Sequence, residues 1–551
     1  MAPPFSSTVS VSSPQLPILS HRAILASFSA LFLGTFLVPA LIAPRYSLWG
    51  IHSIRDVLSR IWTGKLHRQR EKKKILEKWM ESERDFAWGR LLKNIAPAGC
   101  DPGCVVASPS KLDPDYFYQW TRDSAMVFKI VIEHWKRATN GQDSNNTFQL
   151  IMDYIAEIKK MQRMDTPSGG FKTGGLGEVK YFTNGIPCTA RWGRPQFDGP
   201  ALRATAVVGF ANVLLDLDSS KWESFIRTDV YDGLDFEETQ SIVKADLDFV
   251  CTQWNSPCFD LWEEVKGLHH FNMLITIRAL LDGAAFATRL GDSASAQRYR
   301  TVAKEIEDSL GRFWDADRGY LLSTIESLQI TNHDKIAWLD TGARADAQQR
   351  YWLTIPLLTK KPSGTVLGFN HAGTPSASDD WLGGDRSLAT VHATGMSMRE
   401  LYSLNRRHYP SSEGHLGYAV GRYPEDSYDG NGKIKNYQGN PWYLCTLAHA
   451  EFYYRLIPYF AQKTIEINST NKAFFLELGY FSASSSAEME LLERGQSYPV
   501  GSKEHVDILK AFRDKGDAFV SVVRDWACWN GGMWEQFGRD NGREMGASHL
   551  T

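Results

Sequence analysis

From about Ile75 onward, apolar side chains recur at three- and four-residue spacing, and that period decides the fold class. The runs are Asp123 to Trp135, Phe148 to Met161, Pro200 to Leu217, Phe271 to Leu290, Ala294 to Phe313 and Trp442 to Phe460. Several are apolar nearly all round, as in Ala201-Leu202-Arg203-Ala204-Thr205-Ala206-Val207-Val208-Gly209-Phe210. A helix with no polar face must be wholly covered, so a second layer of helices has to lie outside the first. Two-residue alternation is scarce and no strand–helix–strand alternation occurs, which argues against a Rossmann sheet or a TIM barrel. Gly, Pro, Asp and aromatic residues crowd the long segments between helices, where a compact domain more often keeps function than idle chain. The pattern fits an all-α, double-layered toroid whose site is built from loops.

At 551 residues the chain can bury a large core. Its net charge of −2 gives nucleic acid no electrostatic foothold, so none is expected as a partner. The 18 tryptophans suit either a large helical core or the apolar faces of ring-shaped ligands such as sugars. No Cys/His set has zinc-finger spacing and His269-His270 are adjacent, so neither a metal nor a cofactor is expected. The seven cysteines include two close pairs, Cys100/Cys104 and Cys251/Cys258, able to close small loops, but sequence cannot assign bridges.

The N-terminal part reads differently. Residues 1–22 are rich in Ser and Pro and are expected to be disordered. Residues 23–44 form an uncharged apolar stretch, a signal peptide or a signal-anchor; about 20 apolar residues suffice to span a bilayer, so a membrane association is expected through it. Residues 45–74 read as a basic linker, with Lys72-Lys73-Lys74 on a solvated helix face, and the folded domain runs over residues 75–551. Arg45, Arg55 and Arg60 follow the apolar stretch and only Arg22 precedes it, which by the positive-inside rule keeps the bulk cytoplasmic. The sequons at Asn145 and Asn468 have meaning only in the lumen. The reading adopted is the secretory pathway: secreted, vacuolar or membrane-anchored, with the folded domain on the lumenal side.

The informative residues lie in the loops. Phe259-Asp260-Leu261-Trp262-Glu263-Glu264-Val265 sets two adjacent carboxylates beside a tryptophan. Two readings fit. Acidic residues are favoured at helix N-termini. Alternatively, one carboxyl held against an indole keeps its proton near neutrality while its neighbour stays ionised, the separation that general acid catalysis needs. Three other loops share this mixture of rings and charges: Asp115 to Asp123, Arg191 to Pro200, and Gly421 to Asp426. A fourth, Gly531 to Phe537, puts Glu535 in a Gly-rich segment.

These motifs resemble glycoside hydrolase family 15, the fungal glucoamylases. The matching stretches are Ala107 to Ser124, Gly175 to Lys180, Trp192 to Arg203, Asp260 to Val265, Gly421 to Asp426, Gly439 to Trp442 and Glu535 to Phe537, in family order. The resemblance implies an all-α (α/α)6 barrel and a glucan 1,4-alpha-glucosidase. Such an enzyme is an exo-acting, inverting hydrolase that releases β-D-glucose from the non-reducing ends of α-1,4-glucans in starch dextrins or glycogen, with slower α-1,6 cleavage. Position by position, it makes Glu263 the general acid and Glu535 the general base that activates water. It gives Arg122 and Asp123 the grip on the terminal glucose, Arg422 a further hydroxyl ligand, Tyr116, Trp120 and Trp192 the aromatic lining, and Glu264 a carboxylate at the second subsite. A maltooligosaccharide or α-glucan is the expected partner, and a monomer the expected state.

Departures bear on this. Phe259 and Lys266 stand where the family more often has Tyr and Asn, which bears on preference beyond the first subsite. Residues 313–420 match poorly, and no starch-binding domain follows. The family's last helix is also expected after the point where this chain stops, at His549-Leu550-Thr551. The competing reading is a catalytically impaired glucan-binding or regulatory protein on the same scaffold; a relative acting on another α-glucoside, such as trehalose, is a third.

Overall fold

The computed structural model describes residues 47–112, 114–137, 142–326, 363–374, 380–413, 415–432, 438–479, 495–528 and 531–548. The expectations for residues 1–22 and 23–44, and for His549 to Thr551, lie outside them, as does much of the poorly matching 313–420 stretch. The chain divides into two units, residues 1–78 and 79–551. Helix α1 (Ser47–Lys93) belongs to the first as far as Lys78 and to the second from Trp79.

The second unit is built from helix pairs, in which the first members pack on one another in turn and each second member packs against its first. The pairs are α2 (Thr121–Arg137) with α3 (Gln142–Gln162), α4 (Asp198–Phe225) with α5 (Ile242–Gln253), and α6 (His270–Arg289) with α7 (Ser293–Ser309). They continue with α8 (Ser363–Ala372) followed by α9 (Asp385–Leu401), and α10 (Tyr443–Phe460) followed, after the short α11 (Lys472–Glu477), by α12 (Lys503–Trp526). Each inner helix packs on the next, α2 on α4, α4 on α6, α6 on α8 and α8 on α10. The double-layered toroid is therefore the architecture found.

The sequence explains which helix goes inside. Along α4 the buried side chains run Ala201, Leu202, Ala204, Ala206, Val207, Val208, Phe210, Ala211, Leu214 and Leu215, covering all sides of the cylinder. Burying each large member contributes about 1.5–3 kcal/mol. By contrast α7 buries only Ala296, Tyr299, Ala303 and Ile306, a single stripe at three- and four-residue spacing. Its first turn is capped by Asp292, whose carboxylate accepts from Ser295 N–H at 3.0 Å. Residues 310–313, expected at the end of this helix, form instead a tighter 3₁₀ turn.

Among the described residues, Asp198–Val230 and α6 are long and apolar enough to cross a bilayer, yet both are mostly buried among other helices, as core helices are. The strands are short, as the scarcity of alternation requires. They include β1 (Gln119–Trp120) with β2 (Lys180–Tyr181), β3 (Cys258–Phe259) with β4 (Lys266–His269), β4 in turn with β5 (Thr324–Ile325), and β6 (Trp534–Phe537) with β7 (Glu544–Ser548). All seven cysteines are free thiols, including Cys100, Cys104, Cys251 and Cys258.

The segments feeding the inner helices meet at one end of the toroid. A Cβ on Gly199 in α4 would lie 2.7 Å from the Thr121 side chain that opens α2. Ser363, opening α8, donates its N–H to Arg422 O at 2.8 Å. Trp442, just before α10, bridges to Gln536 in β6. Helix N-termini therefore face this end, where their positive dipole ends favour carboxylates.

Candidate active site

Glu263 sits on the β3–β4 hairpin, at the tip of a turn tied by Asp260. The Asp260 carboxylate accepts from the N–H groups of Glu264 and Val265, each at 2.8 Å. Glu263 N–H donates to Asp260 O at 2.9 Å. The turn holds Glu263 at φ 65°, one of three non-glycine positive φ values among the described residues. Such a conformation costs on the order of 1–3 kcal/mol and persists only where its surroundings enforce it. A Cβ on Gly193 would lie 2.6 Å from Glu263 O, so the Trp192 loop braces the strained residue from outside.

The side chain is held by two indoles. Trp120 Nε1 donates to Oε1 at 2.8 Å and Trp192 Nε1 to Oε2 at 2.6 Å, while Gln196 Nε2 lies 3.3 Å from Oε1. Burial pushes the Glu263 pKa up, against the pull of Arg122, Trp120 and Gln196. Trp262, its sequence neighbour, takes no part: it packs edge-on against Trp442 with ring centres 5.6 Å apart. The left-handed turn separates the two adjacent side chains, so the indoles that hold the carboxyl come from distant loops.

Arg122 and Asp123 begin α2 beside it. Arg122 Nη1 donates to Gln196 Oε1 at 2.7 Å and to the buried Asp198 Oδ2 at 2.8 Å; its Nη2 lies 3.6 Å from Glu263 Oε1. Asp123 Oδ2 is 3.7 Å from Arg122 Nε, and burial raises its pKa. The second carboxyl of the hairpin faces a matching arrangement. Arg422 grips Asp426 with two bonds, at 2.8 and 2.7 Å, and its Nη1 meets Glu264 Oε1 at 3.0 Å. Four rings, Trp262, Tyr423, Tyr428 and Trp442, surround the Arg422 guanidinium at 5.1–5.5 Å. Tyr423 also donates its hydroxyl to Glu264. Each arginine is thus locked by a buried aspartate and turned towards a hairpin carboxylate.

Glu535 approaches from β6 and is only 3% exposed. Tyr116 donates its hydroxyl to Oε1 at 3.2 Å, and that hydroxyl is 3.0 Å from the Tyr428 hydroxyl. Burial pushes Glu535 up to about 8, opposed by Arg422, by Tyr116 and by the Ala547 N–H. Tyr116 also packs edge-on against Trp120 at 5.8 Å. One short segment, Tyr116 to Trp120, thereby touches Glu535 with its first ring and Glu263 with its last.

All nine residues singled out in the sequence lie in this region: Tyr116, Trp120, Arg122, Asp123, Trp192, Glu263, Glu264, Arg422 and Glu535. Reading the sequence passed over Asp198, Asp426 and Gln196, whose signal was their place inside the same motifs. It also passed over Lys180. Its ammonium lies 3.7 Å from the Trp192 ring centre, 4.0 Å from Tyr118 and 4.5 Å from Trp120, and burial pushes its pKa down to about 8. Phe259 and Lys266 are cross-strand partners in the β3–β4 hairpin. His269 bonds Thr324 Oγ1 at 2.9 Å and Cys258 O at 2.8 Å, whereas His270 is buried between Phe313 and Phe369 with its pKa pushed down to about 3.

Comparison with known proteins identifies the family. The family model described as "Glycosyl hydrolases family 15" matches residues 87–551. A "Probable glucoamylase" of Schizosaccharomyces pombe is 31% identical over 495 residues, 88% of this chain and 90% of that protein. A "Glucoamylase" of Blastobotrys adeninivorans is 32% identical over 474 residues, 86% of this chain and 68% of its own. Among solved structures, the family 15 glucoamylase of Hypocrea jecorina superposes with a TM-score of 0.69 at 31% identity, over 86% of this chain and 70% of that one. The glucoamylase of Saccharomycopsis fibuligera gives 0.69 at 30% identity, over 86% and 92%. The toroid is therefore an (α/α)6 barrel of the type these structures share.

Proposed function

The chain belongs to the glycosyl hydrolases family 15, and from that premise we propose that it is a glucan 1,4-alpha-glucosidase working with inversion at the anomeric carbon. It removes glucose from the non-reducing ends of α-1,4-glucans, cleaves α-1,6 links more slowly, and releases β-D-glucose. The observation that carries this is the pairing of two carboxyls, the partly buried Glu263 and the buried Glu535, through the single segment Tyr116 to Trp120.

In this reading Glu263 is the acid. Its raised pKa keeps the proton that the departing glycosidic oxygen needs. Glu535 is the base: its carboxylate takes a proton from a water that attacks C1 from the opposite face. The working form carries one proton on the pair. Burial raises both carboxyls and holds Glu535 up at about 8. The Arg422 charge and the hydrogen bonds from Tyr116 and Ala547 pull the other way, towards the ionised Glu535 that a base requires, without offsetting that burial. Asp123 and Arg122 hold hydroxyls of the terminal glucose, and Arg422 with Glu264 holds those of the next unit. Trp120, Trp192 and Tyr116 cover apolar sugar faces. Ionised Glu535 and Asp123 also stabilise the positive charge that develops on the sugar ring.

The test separates acid from base. Maltoheptaose needs its leaving group protonated, whereas α-glucosyl fluoride does not. Glu263→Gln should lose glucose release from maltoheptaose by about 100-fold or more and keep most turnover of the fluoride. Glu535→Gln should lose both. Normal maltoheptaose turnover in Glu263→Gln removes it from the acid role. A folded wild-type protein that binds maltodextrin and releases no glucose would support the glucan-binding alternative.

We further propose that residues 23–44 direct the chain to the secretory pathway, leaving the barrel lumenal or extracellular. Of the two sequons, Asn145 is exposed, whereas the Asn468 side-chain amide donates to Asp385. A glycosidase-sensitive mass shift lost in Asn145→Gln supports this placement; an unglycosylated protein recovered from cytosol contradicts it.

A further inference from the structure

Cys100 and Cys104 sit on a loop that two tight turns fold back on itself. Cys100 N–H donates to Pro97 O at 2.9 Å, and Cys104 N–H to Asp101 O at 3.2 Å. In the second turn Pro102 precedes Gly103 at φ 81°, the residue types that a type II turn takes at its centre. The loop is pinned where it closes: Ala96 N–H donates to Cys104 O at 2.7 Å and Ile95 bridges to Val105. Its middle is pinned too, since Asp101 N–H donates to Thr183 O at 2.9 Å and its carboxylate accepts from Lys160 Nζ at 2.6 Å. A Cβ on Gly103 would run into the Asp153 carbonyl, so the turn lies flat against α3.

This backbone brings the two thiols together. The Cys104 thiol donates to the Cys100 sulfur, which also accepts from the Thr183 hydroxyl. Cys104 is wholly buried, whereas Cys100 is partly exposed. Burial pushes both thiols up, while the two donors and the Lys111 charge draw Cys100 back. Cys100 is therefore the sulfur that solvent reaches, with Cys104 directly behind it. The chain beyond Cys104 runs to the site: Val105 N–H donates to Gln119 Oε1 at 2.8 Å and Ala107 N–H to Tyr118 O at 2.9 Å.

We propose that Cys100 and Cys104 are an oxidative modification site, closing into a disulfide that clips the segment on which Tyr116 to Trp120 is paired. The oxidant is itself a disulfide, such as oxidised glutathione. The Cys100 thiolate attacks one of its sulfurs and expels a thiolate, leaving a mixed disulfide. Cys104 gives its proton to solvent, attacks the Cys100 sulfur and expels the second thiolate. Two protein thiols are oxidised and one disulfide is reduced to two thiols, so the exchange balances. The lumenal placement under Proposed function provides an oxidising setting. The chemistry of the pair does not depend on that placement.

The test uses the full-length protein, first reduced, then incubated folded with oxidised glutathione, denatured and alkylated. Trypsin releases Asn94 to Lys111 as one peptide, which holds Cys100 and Cys104 and no other cysteine. That peptide should lose both alkyl groups and regain them after reduction, while the peptides carrying the remaining cysteines keep theirs. Cys104→Ser should instead carry one glutathione on Cys100, because nothing resolves the mixed disulfide. Closure should also slow amide hydrogen exchange across residues 94–111 by about 10-fold. Two alkyl groups still on the wild-type peptide overturn the proposal, as does a glutathione that stays on wild-type Cys100. Equal loss of alkylation at the other cysteines overturns it too, and exchange slowed by less than about twofold overturns the clip. A missing glycan at Asn145 would count against the lumenal placement alone, a separate failure.

Discussion

Asp260→Ala tests whether the strained turn at Glu263 is what makes its carboxyl useful. Asp260 is 8% exposed and its carboxylate is the acceptor for two N–H groups, those of Glu264 and Val265. Leaving a buried donor unsatisfied costs about 1–3 kcal/mol, so the pair is worth about 2–6 kcal/mol, less whatever water recovers by entering. The left-handed backbone of Glu263 costs on the order of 1–3 kcal/mol in the other direction. The two terms are comparable, so without Asp260 the turn is free to relax. If about 1.4–2.8 kcal/mol of the lost stabilisation falls on the competent loop, kcat/KM drops about 10- to 100-fold. The assay is initial-rate glucose release from maltoheptaose, with thermal unfolding to show that the barrel stays intact. Asp260→Asn should remain within about threefold of wild type, because its amide oxygen can accept the same two bonds. Wild-type kcat/KM in Asp260→Ala refutes the reasoning. So does equal damage in Asp260→Asn, which would make charge, not acceptance, the requirement.

Tyr116→Phe removes a donor that favours ionised Glu535, so the acid limb of the kcat/KM pH profile should move to higher pH; a downward shift would contradict the assignment. Glu477→Leu should destabilise the barrel by about 3–5 kcal/mol in denaturant unfolding, because Lys515, wholly buried, bonds Glu477 at 2.6 Å and would lose its counter-charge. Adding Lys515→Met should restore most of that loss; no restoration would show that the damage is not electrostatic. Lys515, His392 and the Tyr418 hydroxyl hold the Glu477 pKa well below the usual carboxylate range, despite burial. A depressed folded pKa gives stability that is full above the unfolded value of about 4.3 and lost as pH falls below it. Acid unfolding of the double variant should therefore begin at lower pH, relative to its stability at neutrality, than that of wild type.

The inner helices were legible because burial on all sides leaves a continuous apolar run, as along α4 and α6. Helix α8 was not: its ten residues, Ser363 to Ala372, contain two glycines and are too few for a period to stand out. In the site, residues in charge-plus-ring loops were legible by type, and the family resemblance supplied their roles. What sequence could not supply was which loops meet. Trp262 stands next to Glu263 in the chain, yet Trp120 and Trp192 bind it, because a left-handed turn redirects the carboxyl. Asp198 and Asp426 look like ordinary acidic residues until each is found buried against an arginine. The bulge opposite Glu535 is a one-residue slip between short strands, and short strands carry too little alternation to fix register from sequence.

The most direct measurement of the central claim is the anomeric form of the glucose first released from maltoheptaose, read by proton NMR before mutarotation. A base that activates water on the face opposite the leaving group must give β-D-glucose. Initial appearance of the β anomer is the predicted result. Initial appearance of the α anomer would mean retention, and would contradict the roles assigned to Glu263 and Glu535 together.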